Sequence, residues 1–382
     1  MNVRNDRRNP TDRAPDYIRG IAPYVGGKPI DELARELDLD PATIIKLASN
    51  ENPRGPSPKV LAAIAAAAAD ITRYPDGNGY ALKAALSSRL GVAPEQIVLG
   101  NGSNDVLELT TQAFLRPGDT AVYSQYGFIV YPLATQARGA RGLEVKAHAL
   151  GHDLDAMRRA ITPETRIVFI ANPNNPTGTW HAGDAVESFI ASVAGDVIVV
   201  LDEAYNEFLD PSEQVDSAAW VSRYPNLIVS HTFSKAHGLA ALRVGYGVMS
   251  AGVADLLNRV RQPFNVNSLA QAAALAALDD TDYVEESRRL NDAGMRQLAA
   301  GLQSLQVEFH SSRGNFLLLD VGDAPAIYQA LLRQGVIVRP VGNYHLPASL
   351  RVTVSTPAEN ARFLAALAVA KDPRSMGIPH AG

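Results

Sequence analysis

The stretch Thr232-Phe-Ser-Lys-Ala-His-Gly-Leu-Ala-Ala-Leu-Arg243 follows a short strand-like run, Asn226-Leu-Ile-Val-Ser-His231. Lys235 lies in it among small and hydroxylic residues, and a lysine can form a Schiff base with an aldehyde once its amine is deprotonated. Hydroxyl groups and a planar guanidinium on the same stretch can bind a phosphate. The stretch therefore indicates an aldehyde cofactor that carries a phosphate, with three candidate phosphate-binding residues: Thr232, Ser234 and Arg243.

Two polar segments upstream also come directly after buried-strand runs. Asn172-Pro-Asn-Asn-Pro-Thr-Gly178 follows Arg166-Ile-Val-Phe-Ile-Ala171, and Asp202-Glu-Ala-Tyr205 follows Val197-Ile-Val-Val-Leu201. Open α/β sheets bind their ligands at the carboxyl ends of parallel strands. We therefore expect the two segments and the lysine stretch to meet at one edge of a sheet.

The order Asn-Pro-Thr-Gly, Asp-x-x-Tyr, Ser-Lys and Arg resembles that of the fold-type-I pyridoxal-phosphate aminotransferases of class I and II, over residues 24 to 364. The resemblance implies pyridoxal 5'-phosphate as the cofactor, with Lys235 as its covalent partner and the proton carrier. Asp202 would keep the pyridine nitrogen protonated, since the ring accepts electrons only in that state. Asn175 and Tyr205 would contact the phenolic oxygen.

A glycine turn, Gly100-Asn-Gly-Ser-Asn-Asp105, follows the apolar run 96–99 and opens an amphipathic helix. A helix N-terminus offers free N–H groups and a favourable dipole to a phosphate. By resemblance, Gly102, Ser103 and Asn104 bind the cofactor phosphate. An ordinary helix cap is the alternative for this loop. A dinucleotide fingerprint would need glycine where Asp105 stands.

Tyr126, just past the predicted strand 120–124, is the residue that the resemblance places on the pyridine face. Phe128 and Tyr131 are close enough in sequence to be alternatives for this stacking role. His237, two residues after Lys235, stands where similar proteins often have phenylalanine, and we interpret it as a wall residue rather than a catalytic one.

The composition is ordinary for a soluble globular protein, with 46% hydrophobic and 20% charged residues in 382. No cysteine is present, so disulfides, thiolate metal sites and thiol catalysis are excluded. A metal site at His148 and His152 is disfavoured, because Gly151 interrupts any helix between them. The net charge of −5 disfavours nucleic-acid binding. With neither a membrane span nor a signal peptide in the sequence, we expect a cytoplasmic enzyme.

Strand-like runs at 121–124, 167–171, 197–201, 227–230 and 244–249 alternate with helical stretches, which predicts an α/β fold with a largely parallel sheet. A helical stretch at 269–305 and short strands at 307–310, 316–321, 336–339 and 350–355 predict a smaller α+β domain. We expect a disordered tail at 1–15, an arm at 16–49 that joins the small domain, a large cofactor-binding domain at 50–265, a small domain at 266–371 and a tail at 372–382.

Two arginines near the C-terminus bear on the substrate. Arg351, in Leu-Arg-Val-Thr-Val, stands where amino-acid aminotransferases bind the α-carboxylate, and Arg339 precedes it by twelve residues. Two converging arginines suit a dianionic phosphate better than one carboxylate. A surface arginine at a strand end is the alternative for Arg339.

Segments 24–33, 46–58, 73–79 and 351–363 are similar to those of histidinol-phosphate aminotransferases. This resemblance implies transamination of L-histidinol phosphate with 2-oxoglutarate, giving imidazole-acetol phosphate and L-glutamate. It also implies a homodimer in which Tyr74 reaches the partner's cofactor phosphate. The substrate phosphate pocket would then be lined by Tyr24, Asn175, Arg339 and Arg351.

Other functions remain open at this point. An aromatic amino-acid aminotransferase needs a carboxylate-sized anion site and an apolar pocket, and a phosphothreonine decarboxylase keeps the phosphate clamp but orients the carboxylate for loss. A non-catalytic sensor of this fold is disfavoured, because no helix-turn-helix extension precedes Tyr24. Histidinol phosphate and aromatic amino acids are the two main substrate candidates at this point.

Overall fold

The computed structural model describes residues 9–372. The predicted tail at 372–382 lies almost wholly outside this range. Within the predicted tail at 1–15, the described part includes a 3₁₀ turn, Pro10–Arg13, with exposed side chains. This turn is capped by Asn9 and begins with a proline, and the disorder expected for the tail stays a prediction.

Strands of four to seven residues, most of them apolar runs, form a seven-stranded sheet. Its order is β2-β8-β7-β6-β5-β3-β4, and all neighbours are parallel except that β8 runs antiparallel to β2 and β7. The predicted α/β fold is confirmed; the edge strand β4 and the direction of β8 were not predicted. The thirteen strands of the described residues are β1 (Ile45–Lys46), β2 (Ile97–Gly100), β3 (Thr120–Ser124), β4 (Arg141–Val145), β5 (Thr165–Ala171), β6 (Ile198–Asp202), β7 (Leu227–Thr232), β8 (Gly245–Met249), β9 (Glu308–His310), β10 (Phe316–Asp320), β11 (Val336–Ile337), β12 (Arg339–Pro340) and β13 (Ser349–Thr353).

Helices cover both faces of this sheet. Along β5, Val168 and Ile170 belong to the core on one face, while Ile167 and Phe169 belong to the core on the other. This alternation follows from the two-residue period of a strand, and burial of both faces explains the continuous apolar runs. The helices are α1 (Asp16–Arg19), α2 (Ile30–Leu37), α3 (Pro58–Ala68), α4 (Tyr80–Leu90), α5 (Ser103–Phe114), α6 (Val130–Gln136), α7 (Leu154–Arg159), α8 (Gly183–Ser192), α9 (Ser217–Trp220), α10 (Ala251–Val260), α11 (Ser268–Leu278), α12 (Thr281–Ser304), α13 (Ala324–Arg333) and α14 (Pro357–Ala370).

The register of the sheet brings the polar segments to one edge. Ala171, at the end of β5, is opposite Asp202 in β6, and Asp202 is opposite Ser230 in β7. The Asn-Pro segment, Asp202 and the lysine stretch therefore leave the sheet side by side at the carboxyl ends of its central strands, where such sheets bind ligands.

A second, antiparallel sheet has the order β12-β13-β10-β9 and packs against α12, α13 and α14. The N-terminal arm contacts this part of the molecule. Its strand β1 pairs in parallel with β11, with Ile45 opposite Val336, and Leu33 of α2 packs with Leu332 and Ile337. The small sheet and the arm together form the wall that faces the carboxyl edge of the large sheet.

The helical stretch predicted at 269–305 is two helices, which separate at Asp279–Asp280. The first, α11, packs on α3 and α4, and its buried alanines belong to the large-sheet core. The boundary predicted at 265/266 is therefore misplaced, and the small unit begins with α12. Alanine-rich helices α3 and α11 pack closely, which a linear reading of composition cannot reveal. No helix among residues 9–372 is long and apolar enough to cross a membrane.

Candidate active site

A cavity of about 200 Å³ lies between the carboxyl edge of the large sheet, the arm and the strands β12 and β13. Most of the predicted site residues line it, although they come from all parts of the chain. Three do not: Gly102, Tyr126 and Tyr74. The predicted residues in the wall are Tyr24, Ser103, Asn104, Asn175, Asp202, Tyr205, Thr232, Ser234, Lys235, Arg243, Arg339 and Arg351.

Lys235 lies just past β7, and its side chain reaches the cavity from deep in the molecule. Its Nζ donates a hydrogen bond to the main-chain carbonyl of Ser49 at 2.9 Å. Burial, as the larger cause, and the charge of the nearby Arg351 guanidinium, as the smaller one, lower the pKa of Lys235 to about 7. A large share of the amine is therefore uncharged at neutral pH, as a nucleophile or a general base requires.

Asp202 ends β6 and is buried. Its Oδ2 accepts a hydrogen bond from the Tyr131 hydroxyl at 2.9 Å, while its Oδ1 is buried and has no hydrogen-bond partner. Burial raises the pKa of Asp202 to about 6, against the hydrogen bond from Tyr131. A buried acceptor without a donor costs free energy, which an N–H group from a bound molecule would recover. A protonated pyridine nitrogen supplies such a group, so Asp202 fits the cofactor that the sequence implies.

Polar groups converge at the N-terminus of α5, on one side of the cavity. Arg243 donates from Nη1 to Ser234 Oγ at 3.3 Å, and Thr232 Oγ1 accepts from the Ser234 amide at 3.1 Å. Gly102 caps α5 with a φ of 84°, and a Cβ there would lie 2.4 Å from Arg243 Nη2. Gly102 therefore lets the guanidinium approach the helix end, which gives an anion-binding corner of the kind that fits a phosphate.

Of the three aromatic residues considered for stacking on the pyridine face, Phe128 lies in the cavity wall, whereas Tyr126 and Tyr131 do not. The chain turns tightly here, since the Gly127 amide bonds the Ser124 carbonyl at 2.7 Å, and the Tyr126 carbonyl accepts from Asn174 Nδ2 at 2.9 Å. The position in the wall favours Phe128 for the stacking role, and the role predicted for Tyr126 stays a prediction. Tyr131, the other alternative for the stacking role, donates a hydrogen bond to Asp202 instead.

The two arginines meet at the opposite end of the cavity. Arg339 in β12 is directly opposite Arg351 in β13, and both are buried. Arg351 donates to Asn175 Oδ1 and to the Ala48 carbonyl, while its Nε is buried without a partner. The Arg339 guanidinium lies 5.6 Å from the centre of the Tyr24 ring. Two buried guanidinium groups beside each other make this end of the cavity an anion site.

Consecutive main-chain carbonyls of the arm accept hydrogen bonds from residues on both sides of the cavity. These contacts were not predicted from the sequence. The Leu47 carbonyl accepts from the Thr353 amide at 2.9 Å, that of Ala48 accepts from Arg351 Nη2 at 2.7 Å, and that of Ser49 accepts from Lys235. Main-chain acceptors carry no residue-type signal, so nothing in the sequence singles out their roles.

His237 is not in the cavity wall. It is buried, its ring centre lies 4.9 Å from that of Phe233, and burial lowers its pKa to about 4. Our interpretation of it as a wall residue is therefore wrong, and it packs as a neutral aromatic ring. No cluster of three or more histidine, aspartate or glutamate side chains among residues 9–372 could hold a metal ion.

The model of the family "Aminotransferase class I and II" matches residues 42–367. The chain belongs to the class I and II aminotransferases. It is 60% identical to "Histidinol-phosphate aminotransferase 2" of Pseudomonas fluorescens, over 92% of this chain and 95% of that one. "Histidinol-phosphate aminotransferase 1" of Cupriavidus pinatubonensis is also 60% identical, with the same coverage. This aminotransferase is also similar to a solved structure, that of histidinol-phosphate aminotransferase from Sinorhizobium meliloti in complex with pyridoxal-5'-phosphate. The TM-score is 0.87 and the sequence identity is 29%, over 94% of this chain and 97% of that one.

Proposed function

We propose that this aminotransferase transfers the amino group of L-histidinol phosphate to 2-oxoglutarate, as a step of histidine biosynthesis. The products are imidazole-acetol phosphate and L-glutamate. The observation that carries this proposal is the pair of buried arginines, Arg339 and Arg351, directly opposite each other in β12 and β13. A phosphate dianion matches two guanidinium groups, whereas an α-carboxylate needs only one. The names of the 60% identical relatives support the same substrate.

Pyridoxal 5'-phosphate, when bound, supplies an electron sink for the charge that develops at the substrate α-carbon. Asp202 Oδ1, buried without a partner, would accept the hydrogen bond of the ring nitrogen and keep that nitrogen protonated. Tyr205 and Asn175, which line the same cavity, would contact the phenolic oxygen. The Asn175 carbonyl oxygen already accepts from Arg351, so its amide hydrogens remain for donation. The residues that would hold the cofactor phosphate are Ser103, Asn104, Thr232, Ser234 and Arg243.

Lys235 moves the proton in this proposal. Its pKa of about 7 leaves a usable fraction of neutral amine at physiological pH. The Ser49 carbonyl accepts one of its N–H bonds and so fixes the position of Nζ at the cavity wall. Lys235 would therefore take the proton from the substrate α-carbon as general base and give it, as general acid, to the aldehyde-derived carbon of the cofactor.

The test is a half-reaction on the purified enzyme with bound cofactor, followed by absorbance without any keto acid. L-histidinol phosphate should convert the cofactor to its amine form far more efficiently than phenylalanine or phosphothreonine. If phenylalanine is as good, the enzyme is an aromatic aminotransferase. If phosphothreonine releases carbon dioxide, the enzyme is a decarboxylase.

Arg339→Ala sharpens this test. Loss of a charge-assisted bond, roughly 1.5–3 kcal/mol, should lower kcat/KM for histidinol phosphate by about 10- to 150-fold and affect phenylalanine much less. The exposed Arg259, paired with Asp255 on α10, provides a matched control in Arg259→Ala. Equal losses for both substrates would contradict the two-arginine argument.

We also propose a homodimer in which Tyr74 completes the partner's site. Tyr74 is 82% exposed and is not in the wall of its own cavity. Its ring stacks on that of Phe264 at 4.7 Å, and Ile71 and Tyr80 are exposed at 65% and 75%. Exposed apolar side chains grouped in this way are typical of interaction surfaces.

Subunit complementation tests this assembly. Tyr74→Ala and Lys235→Ala should each be nearly inactive alone. Because a mixed dimer of the two contains one intact site, equal mixing after unfolding and reassembly should restore roughly a quarter of wild-type activity. If mixing restores nothing although mixed dimers form, Tyr74 does not act across the interface.

A further inference from the structure

We infer that Asn50 is a positioning residue, which orients the hydroxyl hydrogen of Tyr205 toward the cofactor. Asn50 Nδ2 donates to the Tyr205 hydroxyl oxygen at 2.9 Å, and both side chains are buried in the cavity wall. Since the oxygen of Tyr205 accepts this bond, its own hydrogen is left to donate to an acceptor in the cavity. The inference rests on the proposed cofactor chemistry, in which that acceptor is the phenolic oxygen of the ring.

Thr353 fixes which way the Asn50 amide faces. The Thr353 hydroxyl oxygen accepts from the Asn50 main-chain amide at 2.9 Å and donates to Asn50 Oδ1 at 3.2 Å. The opposite orientation of the amide would direct N–H groups at the Thr353 oxygen and take away the acceptor of its hydrogen. A buried donor without an acceptor is costly, so the network has one favourable direction, from Thr353 through Asn50 to Tyr205.

The backbone alone does not account for this residue. Asn50 has a φ of 55°, in the left-handed region that asparagine tolerates better than most residues. Glycine would satisfy that conformation equally well but could not donate to Tyr205. The substitution Asn50→Gly therefore removes the amide while it keeps the backbone conformation. Thr353 is on β13 with Arg351, so the network joins the substrate-binding strand to the cofactor-binding wall.

The readout is the apparent pKa of the visible absorption band of the enzyme with cofactor bound through Lys235. A donor to the phenolic oxygen stabilises negative charge there and favours loss of the proton from the nitrogen that links Lys235 to the ring. Weakening that donor should raise this pKa. We expect an upward shift of about one pH unit in Asn50→Gly, the size of a lost hydrogen bond to a charged group.

Three further variants separate orientation from general disturbance. Asn50→Asp presents a carboxylate that draws the Tyr205 hydrogen away from the cavity, so its pKa should rise at least as far. Thr353→Val should shift in the same direction, while Thr353→Ser, which keeps the hydroxyl, should titrate like the wild type. In a Tyr205→Phe background, Asn50→Gly should add little, because both act on the same bond.

A wild-type enzyme without a titrating cofactor band would refute the proposed cofactor chemistry itself. A normal wild-type band with an unshifted Asn50→Gly would overturn only the role of Asn50. An equal shift with and without the Tyr205 hydroxyl would overturn it too, because Asn50 would then act on the cofactor by another route.

Discussion

Replacing Asp202 with asparagine should stabilise the cofactor-free protein at neutral pH, although it removes a group that the proposed reaction needs. Burial raises the pKa of this carboxyl from 3.8 to about 6. Each pKa unit corresponds to about 1.4 kcal/mol, so ionised Asp202 costs the folded state about 3 kcal/mol. Asparagine has nearly the same shape and carries no charge, so it avoids this cost.

The pH dependence gives this prediction its sign. Because the pKa of Asp202 is higher in the folded than in the unfolded chain, the folded chain binds more protons between these two values. Its stability therefore falls as pH rises from about 4 to 6 and stays lower above that window. Asp202→Asn lacks this contribution, so its advantage should be small near pH 4 and approach about 3 kcal/mol by pH 7.

Urea unfolding of the two cofactor-free proteins across this range measures the difference. Tyr131→Phe is a useful companion, because it removes the hydrogen bond that opposes the rise in pKa. Its stability should continue to fall to a higher pH than that of the wild type. If the curves of Asp202→Asn and wild type run parallel at all pH values, burial does not raise the pKa of Asp202.

The remaining predictions concern the cofactor. The rate at which cofactor-free protein binds pyridoxal phosphate covalently should rise with pH through about 7, as Lys235 loses its proton. Lys235→Ala should give no stable covalent adduct after reduction with borohydride. Phe128→Ala should weaken cofactor binding by about 0.5–1.5 kcal/mol and Tyr126→Ala by less, as measured by equilibrium dialysis; the reverse order would restore Tyr126 to the stacking role. A Cβ on Gly245 would lie 2.5 Å from the Ser103 amide. Gly245→Ala should therefore lower stability by about 1–3 kcal/mol and weaken phosphate binding at the N-terminus of α5. A normal phosphate affinity would contradict the anion-binding corner proposed there.

The sequence predicted the site best where residues with functional side chains come directly after a strand. Asp202 and Asn175 follow runs buried on both faces, and such runs have few alternatives to a central strand. The carboxyl ends of parallel strands must lie at one edge, so grouping these residues required no long-range information. Lys235 follows the same rule from β7.

The hydrophobic pattern of the sequence does not reveal the direction of a buried strand, and it is a weak signal for a partly exposed strand. An antiparallel β8 has the same pattern as a parallel one, because the strand is buried on both faces either way. The edge strand β4 is partly exposed and has no continuous apolar run, so it leaves no clear pattern. Which aromatic residue faces the cavity after β3 depends on the turn at Gly127, and a shift of two residues decides between Tyr126 and Phe128.

The arm shows why the remaining part of the site could not be predicted. Residues 47–50 contribute mainly carbonyl groups and one amide side chain, and they bind Thr353 and Arg351 on one side and Lys235 and Tyr205 on the other. These contacts join positions about 150 to 300 residues apart, so no local pattern records them. The same segment pairs with β11 through β1. A displacement of the small unit must therefore pull on the acceptor of Lys235 and on the donor of Tyr205 together, because the arm is bonded to both walls of the cavity.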